Sequence, residues 1–259
     1  MLRKYLQSKV QQGRSNTMEN LFSHQDDVGM VVPDLEALYD DITDRNRSQI
    51  LAGHEYIDTT IDDPGDTRMG LTLTIRPHGV NGEAAASSIS ETLEKIRGIE
   101  PEQYFYPARD FHITLLDLIT ARSDFHYMQE QLQACIQIAE TALAGMRPFA
   151  IQFRGLAISN AAVLVRGYYD VAFAQLRQRL RQAIDNSILP HDERYPARSA
   201  HMTVVRFRQA LAHRQALFDF IEQSRDMVYG SIEVRQVELV YHNWFDSRKE
   251  ILKKFILVG

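Results

Sequence analysis

Phe111-His112-Ile113-Thr114-Leu115-Leu116 and Ala200-His201-Met202-Thr203-Val204-Val205 carry one pattern twice, His-x-Thr inside an apolar run, with the two histidines 89 positions apart. Each run reads as a β-strand, where side chains at i and i+2 share a face. Each copy therefore presents an imidazole and a hydroxyl side by side. None of the other seven histidines has Thr or Ser two residues on. With nine His and 12 Thr in 259 residues, random placement gives about 0.4 such matches. The shared strand context of the two copies carries more weight than their number.

Working outward, the segments between and around the two runs alternate strand and helix. Leu71–Ile75 alternates apolar residues with Thr, a strand. Ala84–Ile96 has helical spacing and is expected to stop at Gly98. Phe111–Ile119 is the first His-x-Thr strand, and Phe125–Leu143 is expected to be one long helix. Phe149–Phe153 and Ala162–Val165 flank a turn at Ser159-Asn160 and predict a hairpin. Val171–Ile184 is an Arg-rich amphipathic helix, His201–Phe207 the second His-x-Thr strand, and Arg214–Gln223 a helix. Ser231–Tyr241 and Lys253–Val258 close the chain as strands around the turn Asn243-Trp244-Phe245-Asp246-Ser247. The second half loosely repeats the first. The expected fold is α/β (α+β): a bilobal, pseudo-two-fold duplicated chain whose two antiparallel sheets face a central cleft, with helices outside.

Charge divides the chain. Residues 1–66 hold 6 Lys/Arg against 13 Asp/Glu, whereas residues 67–259 hold 23 against 21. Two units are expected: an acidic, helical N-terminal extension over 1–66, and the duplicated domain over 67–259. Within the extension, Leu2–Val10 has weak helical spacing, Gln11–Asn16 reads as a break, and Pro33–Ile50 reads as an acidic helix. The domain's near-neutral balance argues against gripping many phosphates of a duplex. A site for one or two phosphates remains open. One cysteine, Cys135, rules out an intrachain disulfide and a cysteine metal cluster. There is no signal-peptide pattern and no apolar run of roughly 20 residues, so a cytoplasmic, non-membrane protein is expected.

Two imidazoles on either side of a phosphate can divide the work of hydrolysis. Near neutral pH one removes a proton from water and the other protonates the departing oxygen. The Thr hydroxyls can hold the non-bridging oxygens. This chemistry needs no metal or other cofactor, and none is expected. No Gly-x-Gly-x-x-Gly or Gly-x-x-x-x-Gly-Lys pattern supports dinucleotide or P-loop binding. His191-Asp192 and His24-Gln25-Asp26-Asp27 are read as weak metal signals only.

These features resemble the two-histidine (2H) phosphoesterases, the superfamily of the bacterial RNA 2′,3′-cyclic phosphodiesterase/2′-5′ RNA ligase. Phe153–Ile158 with Val163–Val165 is similar to its central hairpin, Leu176–Leu180 to the helix before its second motif, and Ile232–Val240 to its late strand. The resemblance covers residues 69–258. It implies metal-independent hydrolysis of cyclic (2′,3′-type) or 2′-5′ phosphodiesters, on an RNA terminus or a small nucleotide. His112, Thr114, His201 and Thr203 match the catalytic positions, with His201 as base and His112 as acid, or with the two roles reversed. Arg206 stands at a position often basic in the family, although strict alternation would turn it away from Thr203 unless the strand bulges. Tyr106 and Trp244 are further candidates for substrate contact, Trp244 by stacking on a base. A nucleotide- or RNA-end-binding protein without turnover is the alternative.

Overall fold

The computed structural model describes residues 22–25, 31–189 and 197–258. Leu2–Val10, Gln11–Asn16, Asp26-Asp27 and His191-Asp192 lie outside the described residues.

The elements run β1 (Phe22–Gln25), β2 (Val31–Pro33), α1 (Leu35–Leu51), β3 (Met69–Ile75), α2 (Gly79–Ile99), β4 (Tyr104–Phe105), β5 (Ile113–Arg122) and α3 (Gln129–Leu143). They continue with β6 (Phe149–Ser159), β7 (Ala162–Tyr169), α4 (Val171–Asp185), β8 (Met202–Arg206), α5 (Arg214–Gln223), β9 (Val228–Val234), β10 (Gln236–Asn243) and β11 (Lys249–Ile256). β1 and β2 form a separate antiparallel pair.

The main sheet reads β11-β10-β3-β5-β8-β7-β6-β9, every neighbouring pair antiparallel. Its two halves meet at one bridge, Ile113 opposite Met202. From there β5 and β8 diverge, so each half forms one lobe of a cleft. The splayed backbone finds other partners on both sides of the bridge. β4 pairs with β8 at Tyr104–Arg206 and Phe105–Val205, and the Tyr106 N–H donates to the Val204 carbonyl. On the other side, the buried Arg177 guanidinium of α4 donates to the carbonyls of Leu115 (2.9 Å) and Thr114 (2.8 Å). A buried carbonyl without such a partner is costly.

Helices α2 to α5 back the outer faces. α2 packs on β9 and α5, while α3 and α4 pack on each other and on β11 and β5. One apolar core runs through both lobes, from Leu71 and Leu115 to Phe153, Val163 and Phe218. α1 sits on the opposite face of the second lobe. Leu35 and Tyr39 cover Ala157, Ala162 and Leu164, small or medium side chains that leave room for a helix. Asp34 caps α1, accepting from the Ala37 N–H. The Tyr39 hydroxyl donates to the Gly167 carbonyl and accepts from its N–H, both at 3.0 Å. The carboxylates of Glu36 and Asp40 bind Arg166 and Arg225, and Glu36 also binds Arg154 and the Tyr168 hydroxyl. Beyond α1, buried Glu55 binds Arg214 and the Leu211 N–H, the Asp58 N–H donates to Phe207, and Arg248 reaches the Asp66 carbonyl. Residues on both sides of position 66 therefore pack against each other.

Three expected elements are redrawn. The strand expected over Ser231–Tyr241 is two strands broken at Arg235: β9 pairs with β6 in one lobe, β10 with β3 in the other. The single continuous pattern hides a crossing between lobes. The helix expected from Phe125 starts at Gln129, because Phe125 and Tyr127 pack against Tyr241 instead. α2 runs through Gly98 to Ile99.

Candidate active site

The Ile113–Met202 bridge sets the geometry of the two motifs. On an antiparallel register continued one residue from that bridge, His112 would face Thr203 and Thr114 would face His201. Directly opposed residues bring their Cβ atoms to about 5 Å where the strands remain paired. The two His-Thr pairs thus lie diagonally across the point where the lobes part. The positive charge of His112 is one of the influences depressing the His201 pKa, as expected of neighbouring rings.

Both rings are held in the same way. The His112 Nδ1 lies 2.9 Å from the Asp110 carbonyl, and the His201 Nδ1 lies 2.7 Å from the Ser199 hydroxyl. In each case the partner is the residue two positions earlier. Nδ1 is occupied behind the ring, which leaves Nε2 for the cleft. Asp110 ends a 3₁₀ turn, Ala108–Asp110, closed by its N–H to Pro107 and anchored by buried Phe111. His201 follows a segment braced from β7. A Cβ on Gly167 would stand 2.0 Å from the Ala200 carbonyl, so only glycine permits this approach. The Tyr39 hydroxyl also reaches the Ala200 backbone.

The electrostatic surroundings of the two rings differ. His112, its side chain 14% exposed, has its Nδ1 3.6 Å from Asp246 Oδ2. Burial lowers its pKa, and the Asp246 carboxylate works against that shift. No carboxylate among the described residues opposes the shift of His201. Burial, then the charges of Arg177, His112 and Arg206, lower its pKa to about 4. Asp246 is 0% exposed. It adopts a left-handed backbone (φ 58°) in the β10–β11 turn and sits amid Arg76 (2.8 Å), Lys249 (3.1 Å), His112 and His242 (3.4 Å). Burial alone would raise its pKa; His112, Arg76, His242 and Lys249 together hold it below the usual carboxylate range. His242 is lowered to about 4 by burial, against the pull of Asp246. Arg76 and Lys249 each hold a second carboxylate, Glu238 and Asp110.

A cavity of about 480 Å³ opens beside the second motif, lined by His201, Thr203 and Arg206 on one side and by α1 on the other. His112 and Thr114 stand outside its lining, on the first lobe. Arg206 shares the face of Thr203 because of a bulge. Val205 pairs with Val163 and Thr203 with Leu164, so Val204 has no opposite residue and the alternation shifts by one. Arg206 donates to the Tyr106 hydroxyl at 3.1 Å, and its guanidinium lies 5.8 Å from the Trp244 ring centre. The three residues expected to bind substrate are thus neighbours. Tyr106, however, is 4% exposed. Its ring is packing under the cleft, and its hydroxyl orients Arg206. Trp244 is 37% exposed and also faces Arg68 at 5.5 Å.

Sequence reasoning missed Asp246, His242, Ser199, Arg177 and the α1 residues at the cavity. Asp110 and Ser199, each two places before a motif histidine, were a readable signal. Asp246 was hidden in a turn read for its tryptophan. Among the described residues, no group of three or more His, Cys, Asp or Glu is placed to hold a metal ion, and no helix is long and apolar enough to cross a membrane.

The comparisons place the chain by family and by fold. Residues 85–243, more than half of the chain, match the model of the 2′-5′ RNA ligase superfamily. The chain belongs to that superfamily, the 2H phosphoesterases. No curated protein matches it. Among solved structures of similar fold, TT0787 of Thermus thermophilus is 17% identical with a TM-score of 0.53, covering 73% of this chain and 98% of its own. ATU0111 of Agrobacterium tumefaciens is 15% identical at 0.54, covering 83% and 99%. E. coli LigT complexed with 3′-AMP is 17% identical at 0.51, covering 74% and 99%. These structures match over almost their whole length, while 17–27% of this chain has no counterpart in them.

Proposed function

We propose that this 2H protein hydrolyses cyclic (2′,3′-type) or 2′-5′ phosphodiesters of RNA ends or small nucleotides, with two histidines as base and acid. The observation that carries the reading is the single Ile113–Met202 bridge, which sets two His-Thr pairs diagonally at the mouth of one cleft. The difference between the rings supports the assignment of roles. His201, with its pKa pulled to about 4, is neutral over most of the working range and accepts the proton of water. The hydroxide oxygen bonds to phosphorus, and the bond from phosphorus to a ribose oxygen breaks. That oxygen takes the proton of His112, whose pKa is lowered by burial and partly restored by Asp246. Solvent then resets both rings. Thr114 and Thr203 hold the non-bridging oxygens, and Arg206 adds positive charge beside Thr203. The 3′-AMP bound by E. coli LigT is a nucleotide-sized precedent in a protein of similar fold.

The test is turnover of nucleoside 2′,3′-cyclic phosphates and of a cyclic-phosphate oligoribonucleotide in excess EDTA, with the product identified by phosphorus NMR. Loss of about 10²–10⁴-fold in His112→Ala and in His201→Ala is expected. Saturable binding without product, or unchanged turnover in either variant, would refute the hydrolytic reading.

A further inference from the structure

The family match begins at residue 85, yet the cavity beside His201 is completed by a helix that ends at residue 51. Ile42, Arg45 and Asn46 of α1 form the wall facing His201, Thr203 and Arg206. We propose that α1 is part of the substrate site, and that Arg45, with Asn46 beside it, binds a second phosphate group on a nucleotide whose first phosphate lies between the motif histidines. This inference rests on the hydrolytic reading above.

Four observations carry it. First, α1 is a fixed wall. Its apolar contacts, the two Tyr39 hydrogen bonds and the ion pairs of Glu36 and Asp40 all hold it to the second lobe. Second, the carboxylates of α1 stand outside the cavity lining. Glu36 and Asp40 are taken up by Arg154, Arg166 and Arg225, and among the described residues no carboxylate lines the cavity. Third, the charged group of that wall is the Arg45 guanidinium, whose Nε also donates to the Asp41 carbonyl at 3.1 Å. Arg45 pairs with Asp41, one turn away at 2.7 Å, with both side chains more than half exposed (65% and 51%). Exposed pairs of this kind are weak and are readily exchanged for a phosphate. Asn46 contributes an amide whose NH₂ bonds the Ile42 carbonyl at 2.6 Å, leaving its carbonyl and second N–H for a ligand. Fourth, size and charge agree. About 480 Å³ falls within the usual range of small-ligand pockets, roughly 300–1,000 Å³. A cyclic diester carries one negative charge, whereas the cavity lining presents two guanidinium groups, Arg45 and Arg206; a second phosphate gives Arg45 a partner in place of Asp41.

The experiment compares a nucleoside 2′,3′-cyclic phosphate bearing a 5′-phosphate with its 5′-hydroxyl counterpart. The full chain and the Arg45→Ala and Asn46→Ala variants are used, and kcat and KM are measured separately. The unaltered protein is expected to show a KM about tenfold lower for the 5′-phosphorylated substrate. Arg45→Ala erases that preference by raising the KM of the 5′-phosphorylated substrate about tenfold; Asn46→Ala reduces the preference in part. Both residues lie on an accessible helix face, and unfolding midpoints equal to that of the unaltered protein establish that the fold is intact. Turnover with no preference in the unaltered protein, or a preference that survives Arg45→Ala, overturns the inference and leaves the hydrolytic reading standing. Absence of turnover with both substrates overturns both.

Discussion

Replacing Asp246 by Asn tests how His112, the proposed acid, is held. The substitution keeps the shape and removes one negative charge 3.6 Å from the His112 Nδ1. An opposite charge at this range shifts a pKa by about 1–3 units. Without it, burial acts on His112 unopposed and its proton is lost at lower pH. In the unaltered protein kcat/KM should fall on the acid side as His201 protonates near pH 4. It should fall on the alkaline side as His112 loses its proton, below the ordinary histidine value of about 6.5. The optimum therefore lies on the acid side of neutrality. In Asp246→Asn the alkaline fall should begin about 1–3 pH units lower, narrowing the profile toward the acid limb. The deficit then grows with pH, to about 10–1,000-fold where the unaltered protein is already on its alkaline limb. Arg76 and Lys249 retain Glu238 and Asp110, so the fold should survive with a cost below the roughly 3–5 kcal/mol typical of breaking a buried pair. The assay is kcat/KM on a 2′,3′-cyclic nucleotide from about pH 3.5 to about 8, with thermal unfolding in parallel. A loss that is uniform across pH would refute the electrostatic role and leave Asp246 a structural residue.

Three further outcomes follow from the same contacts. Tyr39→Phe strips the hydroxyl that serves both the N–H and the carbonyl of Gly167; a loss of about 1–3 kcal/mol in urea unfolding is expected, and an unchanged midpoint would mean α1 does not brace β7. Gly167→Ala sets a Cβ 2.0 Å from the Ala200 carbonyl; both stability and turnover should fall, since Ala200 adjoins His201, whereas normal turnover would show that this segment can shift freely. Acidification should destabilise the protein: His201 and His242 have folded pKa values of about 4, so between about pH 6.5 and 4 the unfolded chain binds protons that the folded chain refuses, and stability is full above about 6.5 and declines down to about 4. A melting temperature that is level from about pH 7 to 4.5 would contradict the burial of these rings.

Much of the candidate site was legible in the sequence because its parts are local. A His and a Thr two residues apart in a strand share a face whatever surrounds them, and the duplicated order of strands and helices announced two lobes. What surrounds each ring was not legible. Asp246 lies 134 positions from His112, and no local pattern links them; the β10–β11 turn supplies the carboxylate only because β10 pairs with β3. Alternation suggested that Arg206 faces away from Thr203, and a bulge at Val204 reversed that. Tyr106 belonged to an aromatic cluster in the sequence, and only the pairing of β4 with β8 showed that its ring is buried under the cleft.

The N-terminal stretch marks the division most clearly. Its composition and spacing set an acidic helix over residues 33–50, because charge content and 3.6-residue periodicity are properties of the segment itself. Where that helix rests was decided by the tertiary structure. Ala157 and Ala162 leave a shallow face on the second lobe, and three arginines from distant segments take up its carboxylates. Docking depends on complementarity between surfaces far apart in the chain, so no reading of either segment alone could place α1 against the cavity of His201.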